Sequence, residues 1–526
     1  PALKYSANAM GAGDAAARTM IGRQYTRMKS AGAVWDAADG NYWDMKRMKQ
    51  LAVDGEDAFM DEIFKTDQYG KRVVSHKGAS MAGAEATMTT PLEENFKGFE
   101  LISNIPGMKA FFPFVRTGFN YLDVTFQHTP LNAFRDKFLD LKKLAKDPNP
   151  SPILLNKYCI DPDMIHYELA LAEGRMAMGT AIIGLGVGAA LSGRMTGSMP
   201  VNKEDRDLWK LNGIQPHSYK LSNGTYVSFE KLEIFNTILT TTANVVGHSD
   251  ILGEKLTDEW LKKLTFMTSA VLVDNSMLGG VEDLARLMNP QSSEDLLLQS
   301  GTRYLRSHLP YAGLMGQIGD VVDANQREAN TFLEMLSRRD AGFRQAIPLK
   351  YDFLSKDRSG KPLRYGPEQP LHRLFNSLAP IGFFTPDGDE VKENLMAMNY
   401  NLPEETSTYR GEVLNSMEKS HLERELAKGG LRKDLERVMR NPAFKKTMGK
   451  YKSLGFKESD GYKLRDQAFY KAIQQVFKYH KALAMQALIA KNAGLRARLA
   501  VKGIQKEIGK TSSYSQRQKE QIEMMI

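Results

Sequence analysis

The feature that most constrains this chain is an uncharged stretch from Met176 to Gly193, which reads MAMGTAIIGLGVGAALSG and is bracketed by Arg175 and Arg194. Eighteen residues in a helix rise about 27 Å, close to the roughly 30 Å hydrocarbon core of a bilayer. The rest of the chain is polar, and 25% of all residues are charged. The stretch therefore predicts one membrane-length helix within an otherwise water-compatible protein.

Small residues divide this predicted helix into faces. Gly184 and Gly188 share one face, and Gly186 and Ala190 share the next, as in helices whose backbones approach closely. Two interpretations stay open, because a helix buried between protein subunits has the same composition as one inserted in lipid. The residues predicted to contact lipid or a neighbouring helix are Met176, Ile182, Ile183, Gly184, Leu185, Gly186, Val187, Gly188 and Leu191.

The basic charge of the chain is concentrated in its last fifth. Residues 421–526 hold 24 Lys and Arg against 10 Asp and Glu, a net of +14, whereas residues 1–420 have a net of −5. Such a basic segment favours a polyanionic partner, either nucleic acid or anionic lipid. The single cysteine, Cys159, excludes an intrachain disulfide.

Residues 469–488 form a predicted basic amphipathic helix. Its apolar face consists of Phe469, Ile473, Val476, Phe477 and Ala484. The residues predicted to contact DNA phosphates or anionic lipid are Lys471, Lys478, Lys481, Arg496, Arg498 and Lys502. We expect no exposed aromatic side chains between these cations that could stack on bases, and therefore expect any DNA contact to be through phosphate and independent of sequence. A solvated surface helix with a core-facing stripe is the open alternative.

Helical periodicity dominates the chain, which predicts a mainly α fold: an elongated multi-helix assembly subunit with irregular Pro/Gly-rich connections. The clearest strand signal is at 218–229, where Asn223-Gly224 predicts a β-hairpin with a two-residue turn. The predicted domains are an N-terminal helical segment (1–95), a helical domain ending in a Pro-rich linker and helix (96–175), the apolar helix (176–199), a hairpin and helical domain (200–340), an irregular connector (341–402) and a basic helical C-terminal domain (403–526).

Motifs for catalysis, cofactors and metals are missing or incomplete in this sequence. Gly184-x-Gly186-x-x-Ala189 imitates a dinucleotide fingerprint, but the segment before it has a helical rather than a strand pattern. The nine histidines form neither HExxH nor a pair with cysteine at ligand spacing. We therefore expect no cofactor, no metal and no catalytic residue. The open enzymatic alternative is a peptidoglycan hydrolase with Glu173 or Glu294 as its acid.

Several segments, in their order along the chain, resemble one protein family. They are AEAT (84–87) leading into PFVRT (113–117), the apolar stretch around Gly184, GIQPHSYKLSNGTYVSF (213–229), SHLPYAGLMGQIGDVVDANQRE (307–328) and PLHRLFNSLAPIGFFTP (370–386). Over about residues 84–400 the chain resembles the large internal virion proteins of short-tailed, podovirus-type phages, also called inner core or DNA-ejection proteins. Some members carry a lytic transglycosylase domain, which we expect either to lie upstream of Pro1 or to be lacking in this member.

The resemblance implies a protein held on the portal inside the capsid, which leaves ahead of the genome and helps to build a conduit across the host envelope. The implied partners are further copies of this chain, other core proteins and the portal, double-stranded DNA without sequence specificity, and the host inner membrane. The implied location is the virion interior, followed by the host periplasm and inner membrane. The alternative is a purely structural virion core protein whose apolar helix stays buried.

Overall fold

The computed structural model describes residues 2–37, 44–90, 115–200, 203–247, 312–453 and 467–511, apart from residues 69, 339, 341, 357–359, 365, 404 and 405. Within these ranges helices dominate and every strand is short, so the predicted mainly α fold with small hairpins is confirmed. Its contacts group into two compact units. The first comprises the described residues within Pro1–Ser198, Pro216–Lys220 and Phe229–Pro310; the second comprises the described residues within Met199–Gln215, Leu221–Ser228 and Tyr311–Ile526.

The helices, in chain order, are α1 (Ala2–Ala37), α2 (Met45–Asp54), α3 (Glu56–Ile63), α4 (Lys77–Ala86), α5 (Val115–Gln127), α6 (Asp136–Leu144), α7 (Pro152–Tyr158), α8 (Ile165–Leu191), α9 (Lys203–Leu211), α10 (Ile234–Gly247), α11 (Ala312–Val322), α12 (Phe332–Ser337), α13 (Pro370–Leu378), α14 (Glu390–Ala397), α15 (Ser416–Lys428), α16 (Leu431–Arg440), α17 (Pro442–Ser453), α18 (Ala468–Lys491) and α19 (Ala493–Thr511). Short 3-10 helices lie at Pro130–Phe134, Pro162–Met164, Glu230–Leu232 and Phe343–Ala346.

The strands are β1 (Phe64–Thr66), β2 (Arg72–Val74), β3 (Met195–Thr196), β4 (Ser218–Lys220), β5 (Tyr226–Ser228), β6 (Tyr351–Asp352), β7 (Lys361–Pro362), β8 (Gly382–Phe384), β9 (Thr408–Tyr409) and β10 (Glu412–Val413). All the pairings described here are antiparallel: β1 with β2, β3 with β4, β5 with β8, β6 with β7 and β9 with β10. In the first unit Met195 lies opposite Tyr219, and in the second unit Tyr226 lies opposite Phe384.

One core of the first unit forms where α1, α3, α4 and the turn before α8 meet. Tyr25, Ile63 and Phe64 are buried there together with Ala79 and Met164. Small residues allow this close contact: the hydroxyl of Tyr25 lies against the backbone of α4, which has glycine and alanine at its start. This core fixes the residues that precede α8 and therefore the point at which α8 begins.

The core of the second unit is built mainly by α14, α16, α17 and α18. Leu395, Leu431, Leu435 and Ile473 are fully buried in it. The ring of Tyr400 stacks on Phe477 and tilts against Tyr470, with centroids 5.5 and 5.0 Å apart. Four residues of the apolar face predicted for 469–488 lie in or against this core, namely Phe469, Ile473, Val476 and Phe477, and Ala484 is buried in a separate cluster with Leu414 and Leu422. The predicted amphipathic helix is therefore confirmed.

The loop between β4 and β5 differs in one respect from the prediction. It has three residues, Ser222 to Gly224, because the N–H of Leu221 donates to the carbonyl of Thr225 at 2.8 Å. Gly224 has φ +86°, and the side chain of Asn223 accepts from the N–H of Thr225. A three-residue loop with glycine in the left-handed position is a common hairpin solution, so the same two residues favour either length.

The described part of the predicted irregular connector, 341–402, contains the helices α13 and α14, the 3-10 helix Phe343–Ala346 and the strands β6 to β8 as well as loops. Pro370 lies in the first turn of α13, where a proline is tolerated because that N–H has no partner within the helix. Asp389 caps α14 by accepting from the N–H groups of Val391 and Lys392. Proline thus marks a helix start here rather than an irregular segment.

Candidate functional site

All but the last two residues of the apolar stretch lie in α8, where Met176 to Leu191 form the last 16 of its 27 residues. The N-cap turn begins at Asp161, whose carboxylate accepts from the N–H of Asp163, and the helix ends at Leu191. Gly193 follows with φ +66°, and its N–H and that of Arg194 bond back to carbonyls of the last turn. The helical apolar part, Met176 to Leu191, is therefore about 24 Å long, shorter than the eighteen-residue helix that the sequence predicts.

One face of α8 is packed inside the first unit. Gly179 lies directly under the backbone carbonyl of His128, so close that an added Cβ would overlap that oxygen. Gly186 lies against Leu239 and Thr242 of α10 and against Met195, where an added Cβ would meet side-chain atoms at 3.2–3.4 Å. The glycines on this face let α10 and the segment after α5 approach the backbone of α8.

The opposite face of α8 is open. Leu185 and Leu191 are 75% and 70% exposed, and Gly184 and Gly188 have no atom of the described residues within 4 Å of an added Cβ. Met176, Ile182, Ile183 and Val187 are half-buried at the edges of this face. Gly184 and Gly188 therefore share one face of the helix, as predicted, but this face is open. The face that carries Gly186 is the one in contact with other described residues.

Length and composition single out this helix among the described residues. From Pro162 to Leu191 it is the one segment there long and apolar enough to cross a membrane, and 11% of its most apolar eighteen-residue window is buried. The core helix of a water-soluble protein normally buries most of such a window. The arrangement can therefore present an apolar surface to a further protein or to lipid.

Helix α10, which packs against the covered face of α8, carries several buried threonine hydroxyl groups. The hydroxyl of Thr242 donates to the carbonyl of Ile238, and Thr237 shares a 2.6 Å hydrogen bond with Tyr121 of α5. Nδ1 of His217 lies 2.8 Å from the hydroxyl of Thr240. Burial lowers the pKa of His217 to about 4, so this imidazole is neutral at pH 7.

The arginine on the N-terminal side of the apolar stretch is held by a polar cluster. Arg175 forms an ion pair with Glu85 of α4 and also hydrogen-bonds Gln127 at the end of α5. Arg194, on the other side, is exposed. The side chain of Arg175 therefore holds the N-terminal end of the stretch to the first unit, whereas the side chain of Arg194 at the C-terminal end faces water.

The residues predicted to contact DNA or anionic lipid separate into two groups. Lys471, Lys478 and Arg496 are exposed on α18 and α19, and Lys481 is half-buried. Arg498 instead binds both carboxylate oxygens of Glu418 at 2.8 and 2.9 Å, and Lys502 lies 3.1 Å from Glu412. The last two cations are therefore partly neutralised within the second unit. The expectation of no exposed aromatic side chain among the cations is wrong, because Tyr479, between Lys478 and Lys481, is 60% exposed.

A polar cluster that the sequence did not predict lies in the first unit. Glu62, His76 and Asp161 bring possible metal-ligand atoms within 4.8 Å of one another. The buried ammonium group of Lys29 lies between the two carboxylates, 2.7 Å from Glu62 and 2.8 Å from Asp161. Burial alone would lower the pKa of Lys29, but these two hydrogen bonds outweigh burial and raise it. The ammonium group of Lys29 thus occupies the position between the carboxylates that a metal ion would need. Its hydrogen bond to Asp161 also joins α1 to the start of α8.

The residues of the enzymatic alternative give no constellation among the described residues. Glu173 is exposed on α8, and Glu294 lies outside the described ranges. No family model, no curated protein and no solved structure matches this chain.

Proposed function

We propose that this chain is a non-enzymatic, membrane-active internal virion protein, and that α8 is the segment that enters the host membrane when the genome is delivered. The observation that carries the proposal is the exposure of the most apolar helix: Leu185 and Leu191 face solvent on an uncharged surface. Transfer of one such leucine out of water is worth about 1.5–3 kcal/mol. A contiguous exposed apolar face of this kind is typical of a surface that lipid or another protein covers.

The length of α8 constrains how it can cross a bilayer. A span of roughly 20 residues is required, whereas Met176 to Leu191 supplies 16. Two routes can make up for the missing length of about four residues. Either the bilayer thins locally, or the helix inserts far enough for Glu173 and Arg175 to lie among the lipid headgroups. The second route requires Arg175 to leave Glu85, so insertion and loosening of α8 from the first unit are coupled in this proposal.

The exposed lysines of α18 supply the proposed contact with DNA. Lys471 and Lys478 are seven residues apart, two helical turns along one side of the helix. Single ammonium groups on flexible stems suit phosphate contacts that do not depend on sequence. Arg498 and Lys502 contribute less, because Glu418 and Glu412 already compensate their charge.

The virion context of the proposal comes from the sequence resemblance over residues 84–400. It supplies the proposed partners, namely the portal, other core proteins and further copies of this chain, and the proposed passage from the capsid into the host envelope. The second candidate function is a purely structural core protein. It is favoured by the packed face of α8, where Gly179 and Gly186 already dock the helix inside its own unit.

Co-flotation of the full chain with liposomes separates these candidates. We expect the wild-type chain to float with vesicles, and the Leu185→Asp/Leu191→Asp variant to remain with the soluble fraction. Both positions are exposed, so the fold should tolerate the change. Ile153→Asp, at an 80% exposed position on α7, is the matched control and should float like the wild type. A wild-type chain that ignores vesicles at every lipid composition would favour the structural candidate.

The enzymatic alternative has its own test. The non-enzymatic proposal expects no clearing of purified peptidoglycan in a zymogram of the full chain. Clearing that is lost in Glu173→Gln or Glu294→Gln would establish the hydrolase instead.

A further inference from the structure

Helix α13 of the second unit turns its apolar face outward. Leu371 and Leu378 are 80% and 77% exposed, and Leu374 and Phe375 between them are also exposed. These four residues lie on one side of the helix, at the i, i+3, i+4 and i+7 spacing. An amphipathic helix normally buries such a stripe, so its exposure calls for a covering partner.

Helix α11 packs beside α13 and extends the same kind of surface. It buries Gly316 and Gly319 and leaves its bulky apolar residues exposed. These are Leu314, Met315, Ile318 and Val322. The guanidinium of Arg373 joins the two helices, because its Nε donates to the carbonyl of Val321 at 3.0 Å while Nη1 donates to that of Pro367.

The polar side of α13 holds the helix in this orientation. Asn376 is buried, and its amide bonds both backbone groups of Phe383 in β8: Nδ2 donates to the carbonyl at 2.8 Å and Oδ1 accepts from the N–H at 2.9 Å. A rotation that turned the leucines inward would break this pair and the contacts of Arg373. The outward apolar face is therefore built into the second unit.

The charges around this surface balance one another. Lys361 pairs with Glu368 and Asp387, and Arg364 also pairs with Glu368. An anionic membrane would select a basic rim. In these four residues the positive and negative charges already form ion pairs. Two identical surfaces can therefore come together without like charges facing each other.

The extent of the surface fits a protein interface. Eight exposed large apolar side chains on α11 and α13 present on the order of 800 Å², which is the contribution of one partner to a standard interface. This is more than an isolated soluble chain normally leaves uncovered. We propose that the α11–α13 surface is a self-association site, at which a second copy of this chain docks through the same two helices.

This inference does not depend on the membrane role of α8, and sedimentation velocity of the full chain tests it. The wild type should associate as its concentration rises. Leu371→Glu/Leu378→Glu should weaken that association about tenfold or more, because a charge at the centre of an apolar interface is left unpaired. Leu333→Glu, at a 71% exposed position on α12, is the matched control and should associate like the wild type.

A second measurement gives the geometry. In a Cys159→Ser background, which removes the one native thiol, Phe375→Cys should yield a covalent dimer with a short bis-maleimide, whereas Leu333→Cys should not. The double glutamate variant should float with liposomes to the same extent as the wild type, which separates this site from α8. A wild type that stays monomeric up to about 100 µM, association unchanged in the double variant, or flotation lost in that variant would each overturn the proposal.

Discussion

At the residue scale, the glycines of α8 are not equivalent. Gly179 and Gly186 touch the rest of the first unit, whereas Gly184 and Gly188 face open space. The sequence predicts which faces of the helix carry small residues, because the spacing of those residues along the helix determines the faces. It does not reveal which face is covered, because that depends on His128 and Leu239, which lie 51 and 53 residues away from the glycines that they touch.

A pair of alanine substitutions tests this difference. We expect Gly179→Ala to lower the free energy of unfolding by about 3 kcal/mol, because the new methyl group would displace the carbonyl of His128. Gly188→Ala should be neutral or stabilising by up to about 1 kcal/mol, since alanine favours a helix and no described atom lies within 4 Å of the new methyl group. Urea unfolding followed by circular dichroism measures both. Equal effects of the two substitutions would contradict the assignment of faces.

His217 provides a prediction about pH. Its pKa is about 4 in the folded chain because it is buried, and about 6.5 in the unfolded chain. Between these values the unfolded chain binds the additional proton, so stability is complete above pH 6.5 and falls as the pH drops towards 4, by up to about 3 kcal/mol. His217→Asn should remove most of this fall in stability, because asparagine does not bind a proton in this pH range. The variant should fold, since asparagine tolerates the φ of +49° at this position.

Unfolding free energies at pH 7 and pH 4.5, in both the wild type and His217→Asn, check that expectation. A residual acid sensitivity should remain in the variant, because burial also lowers the pKa of His128. An identical pH dependence in the two proteins would show that His217 is not the group responsible.

At the element scale, the amphipathic character of α18 was predictable and the ion pairs of α19 were not. Ile473 and Phe477 repeat at helical spacing, so their shared face follows from the sequence. Glu418 lies 80 residues from Arg498 and belongs to the capping box of α15, where it also accepts from the N–H of Asn415. No local pattern links two such residues, and Arg498 is therefore indistinguishable in sequence from the cations that we propose to contact DNA.

The Arg498–Glu418 pair predicts how firmly α19 is held. Arg498→Ala leaves the buried carboxylate of Glu418 with fewer partners, and we expect a loss of about 1–2 kcal/mol. The amides of α19 and of the start of α15 should exchange faster with deuterium, while those of α14 should not change. Arg496→Ala is the control, since Arg496 is exposed and, within the described part of the chain, its side chain bonds the carbonyl of Ala490 alone. Unchanged exchange in Arg498→Ala would mean that other contacts hold α19.

At the scale of the whole molecule, the mainly α fold and its small hairpin followed from periodicity and from turn residues such as Asn223 and Gly224. The exposed surfaces did not. Leu371 and Leu378 have the spacing of core residues, and a sequence cannot tell an apolar stripe that is buried in its own unit from one that awaits a partner. The same ambiguity applies to α8, which is why lipid and protein neighbours both stayed open.

The proposed DNA contact is a property of the whole chain and is measured as one. Lys471→Glu/Lys478→Glu should weaken binding to double-stranded DNA at low salt and reduce the salt dependence of binding by about two phosphate contacts. Lys46→Glu/Lys49→Glu makes the same change of charge on α2, where both lysines are exposed, and should have a much smaller effect. Equal losses in the two variants would indicate a response to net charge alone.

Entry of the open face of α8 into lipid can be measured with a fluorophore attached to that face. In a Cys159→Ser background, Leu185→Cys is labelled with an environment-sensitive dye, and Ile153→Cys serves as the control. With liposomes we expect the emission at position 185 to shift to the blue and to be quenched by a quencher attached to the lipid tails, while position 153 keeps its aqueous spectrum. A dye at position 185 that still reports water when the protein has bound the vesicles would contradict the account.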